Sequence, residues 1–238
     1  MNSRAAILTA IRRGLHRGEL APDIAETLRT RMREHPRHLI PVRSRVPHPA
    51  QVALFVANLE REFGTVARVP ELASVPEAVA AYLTAQNLPS RLVMAPHPEL
   101  RGIDWTSRPL LELHEGRAEA TDAVSLSHAF AAIAETGTLM MPSGPERPNT
   151  LNLLPDTEIV LLRASRIVGA YEDAWDWLRA ASGGAMPRTV MLITGPSRSA
   201  DIEQALELGA HGPRRLHVVL VDDAMVDDAT VDDATGEA

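Results

Sequence analysis

Residues 134–139 read Ala-Glu-Thr-Gly-Thr-Leu, a carboxylate, two hydroxyls and a glycine set among apolar neighbours. In such a stretch Glu135 has the chemistry of a general base or nucleophile, and Thr136 and Thr138 can orient a substrate. Gly137 admits a positive φ, which lets neighbouring N–H groups converge on a ligand. The structural alternative is a tight turn whose carboxylate is satisfied by backbone amides. The polar loop 142–149, Pro-Ser-Gly-Pro-Glu-Arg-Pro-Asn, follows, stiffened by three prolines. Proline-held polar loops often line sites. Arg147 is its sole cation and the expected anion clamp, with Ser143, Gly144 and Asn149 as further ligand-binding candidates. A surface ion pair of Arg147 with Glu146 or Asp156 is the competing expectation.

A third polar segment, 194–203, joins a strand-like run to a helix-like one. Ligands gather where strand carboxyl ends meet helix amino ends, so Gly195, Ser197 and Arg198 are candidates to hold a carboxylate or phosphate. Asp201 and Glu203 already complement a helix start there and would repel an anion, which leaves an ordinary capped turn as the alternative. Further on, His211 can transfer a proton or bind a carboxylate with Arg214 beside it, or be an idle loop histidine. The prediction is one small cavity enclosed by the turns at 135–138, 143–149 and 195–198.

The elements that must position these groups follow from periodicity. Helices are expected at 3–17, 22–34, 50–63, 76–87 and 171–178, and another after Ser199 that Gly209 closes. Strands are expected at 65–69, 91–95, 110–114, 158–163, 189–194 and 216–221, the last apolar except for His217 and so covered on both faces. Residues 123–141 read as extended structure folded back around 135–137. Alternating strands and helices point to an α/β domain with a largely parallel sheet. The expected organisation is a helical appendage and Pro-rich linker over 1–45, the α/β domain over 46–223, and an acidic, disordered tail over 224–238 in which Val-Asp-Asp-Ala recurs.

Composition removes whole classes of chemistry. The 238 residues contain no cysteine, and all 24 basic side chains are arginine. Thiolate nucleophiles, cysteine metal sites, conventional iron–sulfur ligation, Schiff bases and the P-loop lysine are therefore excluded for these residues. No Gly-x-Gly occurs, which argues against a dinucleotide fingerprint. The nine histidines show no His-Glu-x-x-His or His-x-His spacing, so no dedicated metal site is expected. The net charge of −7 is carried by seven acids in 222–238, whereas 1–45 hold ten arginines. That basic stretch lacks aromatic residues for base stacking, so nucleic acid is not expected as a partner. No apolar run reaches the roughly 18 residues that span a bilayer and no secretion signature is present, so a soluble, cytoplasmic protein is expected.

Together these segments resemble the lactate-utilization protein C family, the LUD-domain proteins formerly called DUF162. The resemblance lies in 120–222, on Ala132 to Leu139, Pro142 to Pro145, Arg147-Pro148, Leu153 to Pro155, Ile193 to Arg198, Ala200 to Glu203, Leu208-Gly209 and His211 to Leu216. It implies an αβα sandwich similar to the NagB/RpiA/CoA-transferase fold, with ligand-binding and acid/base groups near 135–138. It also implies a role in oxidising L-lactate to pyruvate beside two partner proteins that carry iron–sulfur clusters. No cofactor is then expected in this chain, which would bind a small anionic metabolite or its redox partners. The alternative is an independent enzyme of the CoA-transferase or sugar-phosphate-isomerase type, with Glu135 as base or nucleophile and Arg147 and Arg198 holding the anion.

Overall fold

The structure, a computed structural model, describes residues 3–18, 20–200 and 206–223. It divides into a unit ending at Leu39 and one beginning at Ile40. The first holds helices α1 (Ser3–Gly14) and α2 (Pro22–Glu34). Proline at the start of α2 presets the helical φ, and His35, in the left-handed region at φ 46°, ends it by donating its N–H to Arg31 O. Neither helix buries a residue, and Ile7, Ile11, Ile24, Leu28 and Met32 are exposed.

The second unit runs α3 (His48–Arg61), β1 (Thr65–Val69), α4 (Val75–Ala85), β2 (Arg91–Met94), the single turn α5 (Pro98–Arg101), β3 (Glu112–Glu115) and β4 (Val124–His128). It continues through β5 (Ala131–Ile133), β6 (Thr138–Pro142), β7 (Thr157–Arg163), β8 (Ile167–Val168), α6 (Tyr171–Ala181), β9 (Val190–Ile193), β10 (Arg198–Ala200), β11 (Leu206–Leu208) and β12 (Arg215–Val221). Six strands form a parallel sheet in the order β1-β12-β7-β4-β2-β3. The expected α/β architecture with a mostly parallel central sheet is present.

Side-chain alternation assigns each face its cover. Val75, Val79 and Leu83 of α4 pack on Leu126, Ile159, Leu161 and Val219. On the other face Val52, Phe55 and Leu59 of α3 meet Val160, Leu162, Val218 and Leu220. His217, the polar exception in β12, faces α4, stacks on Tyr82 at 3.8 Å and is pushed down to about 4 by burial, which keeps it neutral.

A second sheet, β8-β5-β6-β9, adds a layer to the simple sandwich. The hairpin of β5 and β6 is the folded-back extended segment expected over 123–141, with Ile133 opposite Thr138. Ala132, Leu139 and Met141 join the α3 core, whereas Ile133 and Met140 face Ala174 and Leu178 of α6. The 189–194 strand is half-exposed in this sheet rather than buried in the parallel one.

The helix expected after Ser199 needs correction. Arg198–Ala200 and Leu206–Leu208 pair as antiparallel strands, and Gly209, at φ 84°, donates its N–H back to Ser197 O. Leu206-Glu207-Leu208 alternates as a strand does, and at these three residues the pairing with 198–200 replaces the expected helix. Residues 201–205 lie outside the described residues, as does the tail expected over 224–238.

Among the described residues, one carboxyl group is sealed in the core. Glu158, fully buried on β7, accepts from Ser127 Oγ at 2.6 Å and from Asn152 Nδ2, both at its Oε1. Its Oε2 has no partner. Burial pushes the carboxyl up to about 7 against the opposing effect of those two hydrogen bonds.

Candidate functional site: an arginine–histidine–glutamate cluster at the carboxyl edge of the sheet

The 135–138 segment is a packed turn on the last turns of α3. Gly137 has φ 70°, and its N–H donates to Ile133 O at 3.0 Å. A Cβ there would fall 2.5 Å from Leu59 N and 2.7 Å from Asn58 C, so the glycine serves a backbone-to-backbone contact. Asn58 Nδ2 donates to Ala134 O at 2.8 Å and Glu135 O at 3.1 Å. The Glu135 carboxylate, 11 % exposed, accepts from Arg43 at 2.7 Å. Thr136, Thr138 and Tyr171 bond mutually at 2.7–3.0 Å, and Thr138 reaches Thr194 at 2.9 Å. These groups satisfy one another.

Gly195 lies against the same helix end, where a Cβ would come within 2.5 Å of Glu62 O. Ser197 and the residues after it knit a separate loop. Ser197 N donates to Pro213 O at 2.7 Å, and Ser197 Oγ accepts from His211 N at 3.1 Å. Arg214 N donates to Asp156 O at 2.8 Å, at the amino ends of β7 and β12. The Arg198 guanidinium sits 3.3 Å over the Phe63 ring.

The three turns therefore do not enclose one cavity. Thr138 and Pro142 end the same strand, roughly 13 Å apart, so the loop 143–149 begins at the far end of β6. There Ser143 exchanges bonds with Thr189, a Gly144–Arg147 turn is closed at 3.1 and 3.2 Å, and Asn149 begins a 3-10 turn. Of the residues singled out from sequence, Arg147 leads to the groups best placed for chemistry.

Arg147 Nη2 lies 2.9 Å from His97 Nε2 and 3.4 Å from His128 Nδ1. His97 follows β2 and His128 ends β4, at the carboxyl ends of adjacent parallel strands, where open α/β sheets gather ligands. The two rings stack 3.7 Å apart at 12°. His128 Nε2 meets Glu99 Oε2 at 2.5 Å, and the other Glu99 oxygen accepts from Arg163, at the end of β7. Arg163 also pairs with Asp223 at 3.6 Å. Arg166 donates to Phe130 O at 2.9 Å and lies 4.9 Å from the centres of the Phe130 and Trp177 rings.

Charge states follow from burial and neighbours. Burial, then His128 and Arg147, push His97 down to about 4. His128 is also lowered by burial, against the pull of its Glu99 bond. Burial raises Glu99, but bonds and charge from His128 and Arg163 outweigh it and hold the carboxyl at about 2. Both imidazoles are thus neutral beside an ionised Glu99 near pH 7. The carboxylate fixes the His128 hydrogen on Nε2 and leaves Nδ1 as an acceptor. A neutral His97 accepts at one nitrogen only, yet faces two donors, Arg147 Nη2 at 2.9 Å and Glu99 N at 3.3 Å. The buried Nε of Arg147 has no partner.

His97, Glu99 and His128 offer ligand atoms within 4.8 Å of one another, the spacing of a metal site. The geometry argues against that use. Stacked rings direct their in-plane lone pairs side by side rather than to one point, and Arg147, Arg163 and Arg166 make the surroundings cationic. The cluster suits an anion. Beside it lies a cleft of about 440 Å³ walled by Phe130, Pro142, Pro145, Leu178 and Pro187, with Arg147 in its lining.

Sequence reasoning found Arg147 but missed His97, Glu99, His128, Arg163 and Arg166. They come from three separate segments, 97–99, 128 and 163–166, so no contiguous word marks them. The available signal was the placement of His97 and Arg163 at the ends of strands already expected at 91–95 and 158–163.

A layered α/β protein with an arginine–histidine–glutamate cluster at the carboxyl edge of its sheet is the class that these observations define. The LUD-domain family model matches residues 52–221, and the chain belongs to that family. It is 42 % identical over 95 residues to an uncharacterized protein of Neisseria meningitidis serogroup B, a stretch covering 40 % of each chain. It is 37 % identical over 102 residues to lactate utilization protein C of Bacillus subtilis, 42 % of each chain. To lactate utilization protein C of Halalkalibacterium halodurans it is 36 % identical over 109 residues, 45 % of this chain and 47 % of that one. The matches thus span less than half the length of these curated relatives. A crystal structure of a DUF162 family protein from Deinococcus radiodurans shares the fold, with a TM-score of 0.55 and 22 % identity over 74 % of this chain and 99 % of that one.

Proposed function

We propose that this chain is a non-redox component of a system that oxidises L-lactate to pyruvate, and that it holds a small carboxylate on Arg147. The relatives named lactate utilization protein C support the pathway. The observation that carries the binding role is Arg147 itself, a guanidinium at a cleft wall with its Nε unpaired and no carboxylate in hydrogen-bonding contact with it among the described residues. A ligand carboxylate supplies the bidentate partner that such a fork lacks. Without cysteine the chain offers no thiolate for an iron–sulfur cluster, so the two electrons from lactate pass to partner proteins that carry such clusters. The CoA-transferase-like alternative is less supported, because Glu135 is paired with Arg43 on a packed turn.

Titration calorimetry of the full chain with propionate, the bare carboxylate, tests the binding role. Saturable binding that disappears in Arg147→Gln is expected; binding untouched by that change refutes the clamp. Capture of the tagged chain from its native host, followed by iron and sulfide analysis of what co-elutes, tests the partners. Iron-free eluates refute that part of the proposal.

A further inference from the structure

Resting on the carboxylate clamp, we infer that His128 Nδ1 is the acceptor for the hydroxyl of a 2-hydroxy acid, and that Glu99 is the positioning residue that makes it one. The consequence is a site that prefers the alcohol to the corresponding 2-oxo acid.

Three observations meet here. The short Glu99–His128 contact fixes the ring hydrogen on Nε2, because a carboxylate can only accept. The remaining lone pair, on Nδ1, faces Arg147 Nη2 at 3.4 Å, too long for a good hydrogen bond, so the acceptor is under-used. The guanidinium is itself incompletely satisfied, with its Nε unpartnered and its Nη2 facing His97 Nε2 while Glu99 N faces Nδ1 of the same ring, only one of which accepts in the neutral imidazole. When the guanidinium pairs with a carboxylate, the hydroxyl on the adjacent carbon lies within reach of whatever acceptor sits beside that guanidinium. His128 Nδ1 is that acceptor. A 2-oxo acid offers an oxygen with lone pairs only, and lone pair would face lone pair. The stack on His97 and the contact with Glu99 hold the His128 ring in place, so the preference is built into the ligand-free protein.

The test is calorimetry of the full chain at neutral pH with L-lactate, propionate and pyruvate. One well-formed hydrogen bond should make lactate bind roughly three- to tenfold more tightly than propionate, with pyruvate no tighter than propionate. His128→Phe keeps an aromatic ring against His97 while removing the acceptor, and should bring lactate to the level of propionate, both measured on that variant. Glu99→Gln lets the ring hydrogen move to either nitrogen, and should narrow the lactate-to-pyruvate ratio. Nitrogen NMR of the wild-type ring gives an independent reading, with the hydrogen on Nε2 expected. Equal binding of all three acids in the wild type, or the hydrogen found on Nδ1, overturns the hydroxyl-acceptor assignment and leaves the clamp standing. Absence of binding by any of the three overturns the clamp and this inference together. The wild-type series and the NMR reading need no variant to fold.

Discussion

Replacing Glu158 by glutamine should abolish the pH dependence that this one carboxyl imposes on stability. Folding raises it from 4.5 to about 7, because the fully buried group has only Ser127 and Asn152 as partners and no cation among its contacts. Below pH 4.5 both folded and unfolded chains hold the proton, and the group's contribution is fully present. Between 4.5 and 7 the unfolded chain releases its proton while the folded one retains it, so stability falls as pH rises. Above 7 the loss is complete. About two and a half pH decades at about 1.4 kcal/mol each come to about 3 kcal/mol. Glutamine keeps an acceptor for both hydrogen bonds and cannot ionise. The variant should be within about 1 kcal/mol of wild type at pH 4.5 and more stable by about 2–3 kcal/mol at pH 8. Urea unfolding at intervals from pH 4.5 to 8.5, followed by tryptophan fluorescence, measures the difference between the two proteins, in which all other titrating groups cancel. Parallel curves across the range would refute the reasoning, because they would mean that the carboxylate is as well accommodated folded as unfolded.

The packed turn yields three further predictions, each read by urea denaturation. Gly137→Ala should cost at least about 2 kcal/mol, since the new Cβ meets α3 backbone at 2.5 Å and the backbone is at φ 70°. Asn58→Ala should cost about 1–3 kcal/mol by leaving the Ala134 and Glu135 carbonyls without their donor. Glu135→Gln should cost less than about 1 kcal/mol, because the Arg43 side chain is 65 % exposed, and should leave carboxylate binding unchanged in the calorimeter.

Periodicity identified β7 and β12 of the parallel sheet well, because these central strands leave little choice, but left β4 undivided within the extended stretch over 123–141. Ile159 to Leu162 and Val218 to Val221 are buried on both faces, and continuous apolar runs of that length bounded by polar residues fit little else. The hairpin at 131–142 was legible from Gly137 and its flanking small residues. The 198–209 segment was not, because Leu206-Glu207-Leu208 satisfies a strand while Ile202, Ala205 and Leu206 satisfy a helix, and only the pairing with 198–200 decides. The candidate site was legible only through Arg147. The polar words at 135–138 and 194–195 stand out in sequence because Gly137 and Gly195 must press backbone onto the end of α3, a demand of shape. His97, Glu99 and His128 of the candidate cluster stand in ordinary sequence surroundings, and only the order β4-β2 in the sheet makes neighbours of residues 97 and 128.

The absence of lysine acquires a meaning at the sheet edge, where Arg147, Arg163 and Arg166 supply the positive charge. An ammonium there would shed its proton in moderately alkaline solution, and more readily as its surroundings dried. Guanidinium groups keep theirs, even though burial lowers Arg147 and Arg166 somewhat. The edge therefore holds a nearly constant electrostatic attraction wherever the protein stays intact. Alkalinity cannot switch it off; only moving the fork away from its neighbours, or filling it, changes what an approaching anion encounters.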